Sequence, residues 1–289
     1  MLFYYSKHIQ ALEQLMTKPN ISILLPSRGR TNMLKRSITS LLDLADTPAS
    51  LEFLLAFDDD DTESSTYFIS EVAPLLEQAG ATYSVLEFAR MGYGRLHEYL
   101  NSIAPYAQAD WWVFWNDDAV MLDQGWDTVI ISQGNRFCIQ AFDTHNLHPY
   151  SIFPIVPRAW FDTLGYLSQH PLNDAYISQI AWMLDIMVRI PVKVSHERFD
   201  LTGQNNDKTF EDRVIYEGNS HDPRDFNYVS NRGQRVYNAN RLADYLEGRG
   251  YDMTYWKKVS SGELDPWTKM LEADVNKQVT KFKVAQLPK

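Results

Sequence analysis

The sequence predicts an α/β chain: a mostly parallel central sheet flanked by helices, with an irregular C-terminal extension. Three observations carry that reading. Four apolar, β-rich runs between Ile21 and Trp115 are separated by segments of helical period, the order that sets parallel strands in a sheet with helices on both faces. The runs are almost continuously apolar, as strands buried on both faces are. Each also stops at polar or charged residues, and ligands of open α/β sheets bind outside the carboxyl ends of the strands.

The first run, Ile21 to Leu25, breaks at Pro26-Ser27-Arg28-Gly29-Arg30 and gives way to Met33 to Leu44. Met33, Leu34, Ile38, Leu41 and Leu42 recur at three- and four-residue intervals and share one helix face, while Lys35 and Arg36 point away. Thr31 or Asn32 is available to cap this helix. The preceding loop offers backbone N–H groups, the Ser27 hydroxyl and the guanidinium groups of Arg28 and Arg30 to an anion such as a diphosphate. Plain solvation of the two arginines is the competing account. Both GxxxxGK[ST] and GxGxxG are absent, so the loop is neither a P-loop nor a dinucleotide fingerprint.

The second run, Leu51 to Phe57, leads into Asp58, Asp59, Asp60 and Asp61, then Thr62 and Ser64. A solvated loop and an N-cap for the helix of Tyr67 to Ala79 account for at least two of these acids. One or two others, at the strand end, can accept hydrogen bonds from a base or ribose. The third run, Thr82 to Phe88, meets Arg90-Met91-Gly92-Tyr93-Gly94-Arg95, and a helix from about Leu96 to Tyr106 returns the chain to the fourth, Trp111 to Trp115. That run ends abruptly in Asn116, Asp117 and Asp118. Adjacent carboxylates repel and are costly to desolvate without a cation, a proton or hydrogen bonds, so a divalent ion is one natural reason for them. A polar turn in which Asp caps the next segment is the other.

Downstream, Phe137 to Phe142 reads as a strand, and Phe153 to Arg158 leads into Ala159 to Leu167. Asn173-Asp174 precedes the helical stretch Ala175 to Ile186, where Asp174 suits a first-turn acid. Ile190 to Val194 is a further strand, ending at Ser195-His196. From about Glu197 to Asn231 the chain is polar and rich in Asn, Asp and Gly, the composition of a long loop or lid. The final segment reads as a helix with a basic tail.

At 289 residues and 45% hydrophobic, the chain can bury a large core in one domain. The lone Cys138 excludes an intrachain disulfide framework and sits in an apolar run, as an inert thiol does. No apolar stretch approaches the roughly 20 residues of a membrane span, and MLFYYSKHIQ lacks a signal-peptide core, so cytoplasmic residence is expected. A net charge of -10 argues against extensive non-specific contact with phosphate backbones. Arg224, Arg232, Arg235 and Arg241, interleaved with Tyr228, Tyr237 and Tyr245, form either a local basic patch or a solvated helical face.

In its order of motifs the chain resembles the GT-A nucleotide-sugar glycosyltransferases, above all the family 2-like inverting enzymes with a Rossmann-like sheet. Pro26 to Arg30 stands where that family has Pro-[Thr/Ser]-x-x-Arg, and Asp58 to Ser64 where it has Asp-Asp-x-Ser-Thr. Arg90, Gly92, Gly94 and Asn101 follow its Gly-containing segment and Asn-bearing helix. Asn116-Asp117-Asp118 takes the place of the metal-binding Asp-x-Asp. The likeness covers roughly residues 20 to 200, which makes 1–200 the nucleotide-sugar-binding core and 201–289 an extension of lid loop and helices packed on the same domain.

The resemblance implies a transferase that moves a sugar from a nucleoside diphosphate donor, UDP-sugar favoured, to an acceptor hydroxyl, with inversion. Pro26, Ser27, Arg28, Arg30, Asp58, Asp59, Arg90, Gly92, Arg95, Asn116 and Asp117 would bind the donor. Asp118 and His196 would hold Mn²⁺ or Mg²⁺, with His221 as the second candidate histidine ahead of His145, His148 and His170. Asn116 departs from the family's acid, which lowers the charge offered to a metal and leaves an amide for ribose. Whether Asp117 is a ligand or points into the sheet stays open. Asp174 stands where the family carries its catalytic base. The acceptor is a glycan or another small molecule, with modified nucleic acid as the alternative. A non-catalytic nucleotide- or sugar-binding module is a rival; a nucleotidyltransferase would need a Gly-rich first loop with a signature Lys, which Pro26 to Arg30 lacks.

Overall fold

The computed structural model describes residues 18–144, 150–198, 208–217 and 229–265. Its first half comprises β1 (Ile21–Pro26), α1 (Thr31–Asp43), β2 (Leu51–Asp58), α2 (Thr62–Tyr67), α3 (Ala73–Ala79), β3 (Thr82–Phe88), α4 (Leu96–Ile103) and β4 (Trp111–Phe114). A π-helical turn at Phe68–Val72 joins α2 to α3. β1 pairs in parallel with β2 and β4, and β2 with β3. The loops after β1, β2 and β4 therefore emerge at the same edge of the sheet, which is where the arginines and acids of the sequence collect.

The second half adds β5 (Ala119–Met121), α5 (Trp126–Ile131), β6 (Ile139–Thr144), β7 (Ile155–Pro157), α6 (Arg158–Leu164), α7 (Asn173–Leu184) and β8 (Met187–His196). The strand order is β3-β2-β1-β4-β7-β6-β8-β5. β6 and β8 are parallel, while β7 runs antiparallel to β4 and β6, and β5 antiparallel to β8. One register matters for the site. Ala119 lies opposite His196, so the short link from β4 to β5 sets Asp118 beside the end of β8.

Strand periodicity divides the core into two layers. Trp111, Val113 and Trp115 face a cluster with Leu34, Ile38 and Trp126, whereas Trp112 and Phe114 face the opposite cluster with Leu100, Trp160 and Tyr176. Each such buried large side chain stabilises the fold by about 1.5–3 kcal/mol. The C-terminal helices α8 (Lys208–Glu217), α9 (Val229–Glu247) and α10 (Thr254–Ser260) follow. Leu242, Leu246 and Trp256, from α9 and α10, join the same cluster as Trp112 and Trp160. Among the described residues no helix is long and apolar enough to cross a membrane.

Three local expectations are corrected. Arg30 occupies the N-cap position of α1, with no side-chain cap, so neither Thr31 nor Asn32 caps it. The polar stretch after Glu197 contains α8, whose Asp212 and Arg213 line the cleft described below and whose Tyr216 packs on Tyr93 and His170; 199–207 and 218–228 lie outside the described residues. The basic face of α9 is not simply solvated: Arg235 is 1% exposed, and burial lowers its pKa to about 10. Arg241 donates to the carbonyls of Thr163 and Leu164 at the end of α6, satisfying helix C-terminal acceptors. Arg224 and Tyr228 lie outside the described residues.

Candidate active site

A cleft opens over the C-terminal ends of β1, β2 and β4. Pro26, Ser27, Arg28, Arg30, Asp58, Arg90, Gly92, Asn116, Asp117, Asp118, Asp174 and His196 all line it. Ser27 extends the β1–β2 ladder by donating its N–H to Ala56 O at 3.0 Å, and its hydroxyl donates to Asp117 Oδ2 at 2.7 Å. The other Asp117 oxygen accepts from Arg30 Nη1 at 2.9 Å, and the same nitrogen lies 3.4 Å from Asp118 Oδ2. Asp117 thus points across to the first loop and ties β4 to β1. Burial pushes its carboxyl up, with Arg30 opposing. Burial acts on Asp118 in the same sense, but His196, Arg30 and Arg198 together outweigh it and hold that carboxyl below the usual range.

Asp58 is the second anchor. It accepts from Arg28 at 2.9 Å and from the Tyr99 hydroxyl, which in turn accepts the Met91 N–H at 2.7 Å. Burial, then the Asp58 bond, pushes the Tyr99 phenol up to about 12, so it stays a neutral donor. Arg28 also pairs with Asp60; the guanidinium holds Asp60 below the usual carboxylate range. Asp61 caps α2 by accepting from Ser64 N at 3.3 Å and takes the Gly29 N–H at 2.8 Å. That N–H is consequently spent inside the protein, contrary to the expectation that it faces an anion.

Two expected donor contacts fall outside the cleft lining. Asp59 is exposed, with its N–H bonded to Phe88 O at 2.7 Å: the strand end turns it away from Asp58. Arg95 is exposed and paired with Glu98 one turn along. Conversely, sequence reasoning missed Tyr93, Tyr99, Arg198, Asp212 and Arg213, which also line the cleft or, for Asp212, close it through an ion pair with Arg90 at 3.1 Å. Gly92 has φ +74, a left-handed conformation that side chains disfavour, so the loop beside Arg90 needs its glycine.

Asp174 stands in the first turn of α7, but Leu172 holds the N-cap position. It is half-buried in the cleft wall, and among the described residues it has no hydrogen-bond or ion-pair partner. The loop that delivers it is clamped by Asn101. Asn101 Oδ1 accepts from Leu167 N at 2.8 Å and Ser168 N at 3.3 Å, and Nδ2 donates to Ser168 O at 2.7 Å. His170 is structural, accepting the Leu172 N–H on Nδ1 at 3.2 Å. Asn101→Ala is expected to cost about 2 kcal/mol of stability by stranding these backbone groups, read as a lowered unfolding midpoint in denaturant.

On the same helix as Asn101, His97 Nδ1 is buried without a hydrogen-bond partner among the described residues. Burial lowers its pKa to about 4, against a usual 6.5, with Glu98 opposing. The fold therefore favours the neutral ring, and its stabilising contribution is complete above about 6.5 and lost as pH falls toward 4. His97→Gln should flatten that part of the stability profile, measured as unfolding midpoints across this range for variant and parent.

Among the described residues no group of three or more His, Cys, Asp or Glu side chains converges as a ready-made metal site. The Asp118–His196 pair still suits one. Asp118 Oδ1 is buried and accepts no hydrogen bond among the described residues, and it lies 3.4 Å from His196 Nε2. A carboxylate oxygen beside an imidazole nitrogen is a donor set that Mn²⁺ accepts, and ions of this kind commonly complete their shell with water and substrate phosphate. His145, His148 and His221 lie outside the described residues.

No family model matches the chain, and no curated protein matches it in sequence. Solved structures do match its fold. The mannosyltransferase PcManGT from Pyrobaculum calidifontis, in complex with GDP-Man and Mn²⁺, aligns with a TM-score of 0.54 at 12% identity, over 92% of this chain and 87% of that one. TarS 1-349 from S. aureus, in complex with UDP, aligns with a TM-score of 0.47 at 12% identity, over 78% of this chain and 80% of that one. The chain has the GT-A-like α/β fold that the order of its motifs implied.

Proposed function

We propose that the chain is a glycosyltransferase that moves a sugar from a nucleoside diphosphate donor to an acceptor hydroxyl in one inverting displacement. The observation that carries this reading is convergence: Asp58 with Arg28, Arg30 with the Asp117–Asp118 pair, and Asp174, which has no hydrogen-bond or ion-pair partner among the described residues, meet in one cleft at the strand ends.

Each group has a task there. Asp58, whose two oxygens already take Arg28 and the Tyr99 hydroxyl, orients Arg28 and leaves a remaining lone pair for an N–H of the base, and the exposed Asn116 amide suits the ribose. Arg28 and Arg30 bring guanidinium groups whose planar N–H forks match phosphate oxygens. A divalent ion held by Asp118 and His196 would supply further charge stabilisation to the departing diphosphate. Asp174 takes the proton of the acceptor hydroxyl as its oxygen attacks the anomeric carbon; the bond to the diphosphate breaks, and its electron pair leaves with the diphosphate.

The fold shared with a mannosyltransferase that binds GDP-Man and Mn²⁺ supports the reading. UDP-sugar stays the favoured donor and GDP-sugar its rival. A glycan or small-molecule acceptor is supported over nucleic acid, because Arg235 is buried and Arg241 is spent on helix carbonyls. Incubation with a panel of nucleotide sugars and simple hydroxyl acceptors, followed by assay of released nucleoside diphosphate, tests the proposal. Turnover of one donor, faster with acceptor, is expected; donor binding without any turnover would instead identify a binding module.

A further inference from the structure

We propose that Arg30 is a resident counter-cation on the Asp117–Asp118 pair, one that competes with a divalent ion for Asp118 and is turned onto the donor diphosphate when that ion enters. The second half of this inference rests on the donor-site reading above; the first half does not.

Both carboxylates are 6% exposed, and the Arg30 side chain is 12% exposed. Two buried neighbouring carboxylates are costly unless positive charge compensates them; Arg30 touches both, and Arg198 adds its charge near Asp118. The hold of Arg30 is unequal. The contact to Asp117 is 2.9 Å and that to Asp118 is 3.4 Å. Asp117 has both oxygens engaged, the second by Ser27 at 2.7 Å, so it offers little to a metal. Asp118 keeps Oδ1 buried and without a hydrogen bond among the described residues, facing His196 Nε2 at 3.4 Å. An ion seated between Asp118 and His196 would stand within a few ångströms of the guanidinium and repel it. Asp117, itself held by Ser27, keeps the arginine in the cleft meanwhile, so the displaced charge remains beside the space where a diphosphate brings compensating oxygens.

The consequence is a coupling between metal and nucleotide. Bound alone, the metal must act against Arg30; bound with a nucleoside diphosphate, Arg30 changes from competitor to partner. The test is titration of Mn²⁺, followed through the paramagnetic resonance signal of the free ion, on the full chain and its Arg30→Gln and Arg30→Lys variants, with and without GDP or UDP. Arg30→Gln is expected to bind Mn²⁺ alone on the order of tenfold more tightly than the parent, while nucleotide improves its Mn²⁺ affinity by a smaller factor than it does for the parent. Arg30→Lys, whose compact ammonium keeps the charge on Asp117 and withdraws it from Asp118, should move in the same direction by less. Equal Mn²⁺ affinity in all three proteins, or weaker binding in the variants, would overturn the proposal. A gain for Arg30→Gln with Mn²⁺ alone, together with no nucleotide effect in any of the three, would uphold Arg30 as counter-cation and overturn both its diphosphate role and the donor-site reading.

Discussion

Asp174→Asn is expected to abolish sugar transfer while leaving donor binding intact. The rate should fall by about 10²–10⁴-fold, the usual contribution of a general base. The substitution preserves shape, and the side chain has no partner among the described residues to lose, so α7 and the clamped loop before it should fold unchanged. What disappears is the capacity to take a proton. Single-turnover measurements with saturating donor check this directly, and nucleotide affinity measured on the same protein separates chemistry from binding. An unchanged rate would move the base role elsewhere in the cleft, with Asp212, now paired with Arg90, the next acid to test.

The second large effect is expected from Asp118→Ala. This change removes the carboxylate oxygen that faces His196, but leaves Asp117 bonded to Arg30 and Ser27. The latch between β1 and β4 should therefore survive, and the fold with it. A ligand at about one hundred times its dissociation constant stabilises the native state by about 2.7 kcal/mol. The part of that stabilisation by nucleoside diphosphate that requires Mn²⁺ should vanish in the variant, along with most of the transfer rate. Calorimetric titration with nucleotide, with and without Mn²⁺, measures both components. A variant that retains the metal-dependent component would remove Asp118 from the metal site.

Much of the sheet was legible because its signals are local. The Leu51–Phe57 and Trp111–Trp115 runs are apolar enough to be buried on both faces, and the acids at their ends mark where the chain leaves the core. The short β5 and β7 were not legible: three-residue strands carry no period of their own, and they exist through pairing with β8, β4 and β6. The site divides in the same way. Arg28, Arg30, Asp58, Asp118 and Asp174 each follow a strand end or open a helix, so order along the chain points to them. Tyr99 reaches Asp58 across 41 positions, and Asp212 reaches Arg90 across 122; no spacing rule contains such pairings. Asp59 and Arg95 mislead for the opposite reason. They sit beside true cleft residues in sequence, yet the turn after β2 and the helical geometry near α4 carry them outward.

The most direct measurement is thermal unfolding of the unmodified chain with GDP, UDP and their sugar conjugates, each with and without Mn²⁺. A cleft that binds a nucleoside diphosphate through Arg28, Arg30 and Asp58 predicts a rise in unfolding temperature that depends on the base, grows with nucleotide concentration and increases further when Mn²⁺ is added. No rise with any of these nucleotides, at concentrations up to the millimolar range in which nucleotide-sugar sites saturate, would contradict the donor-site account and leave the GT-A-like fold serving another chemistry.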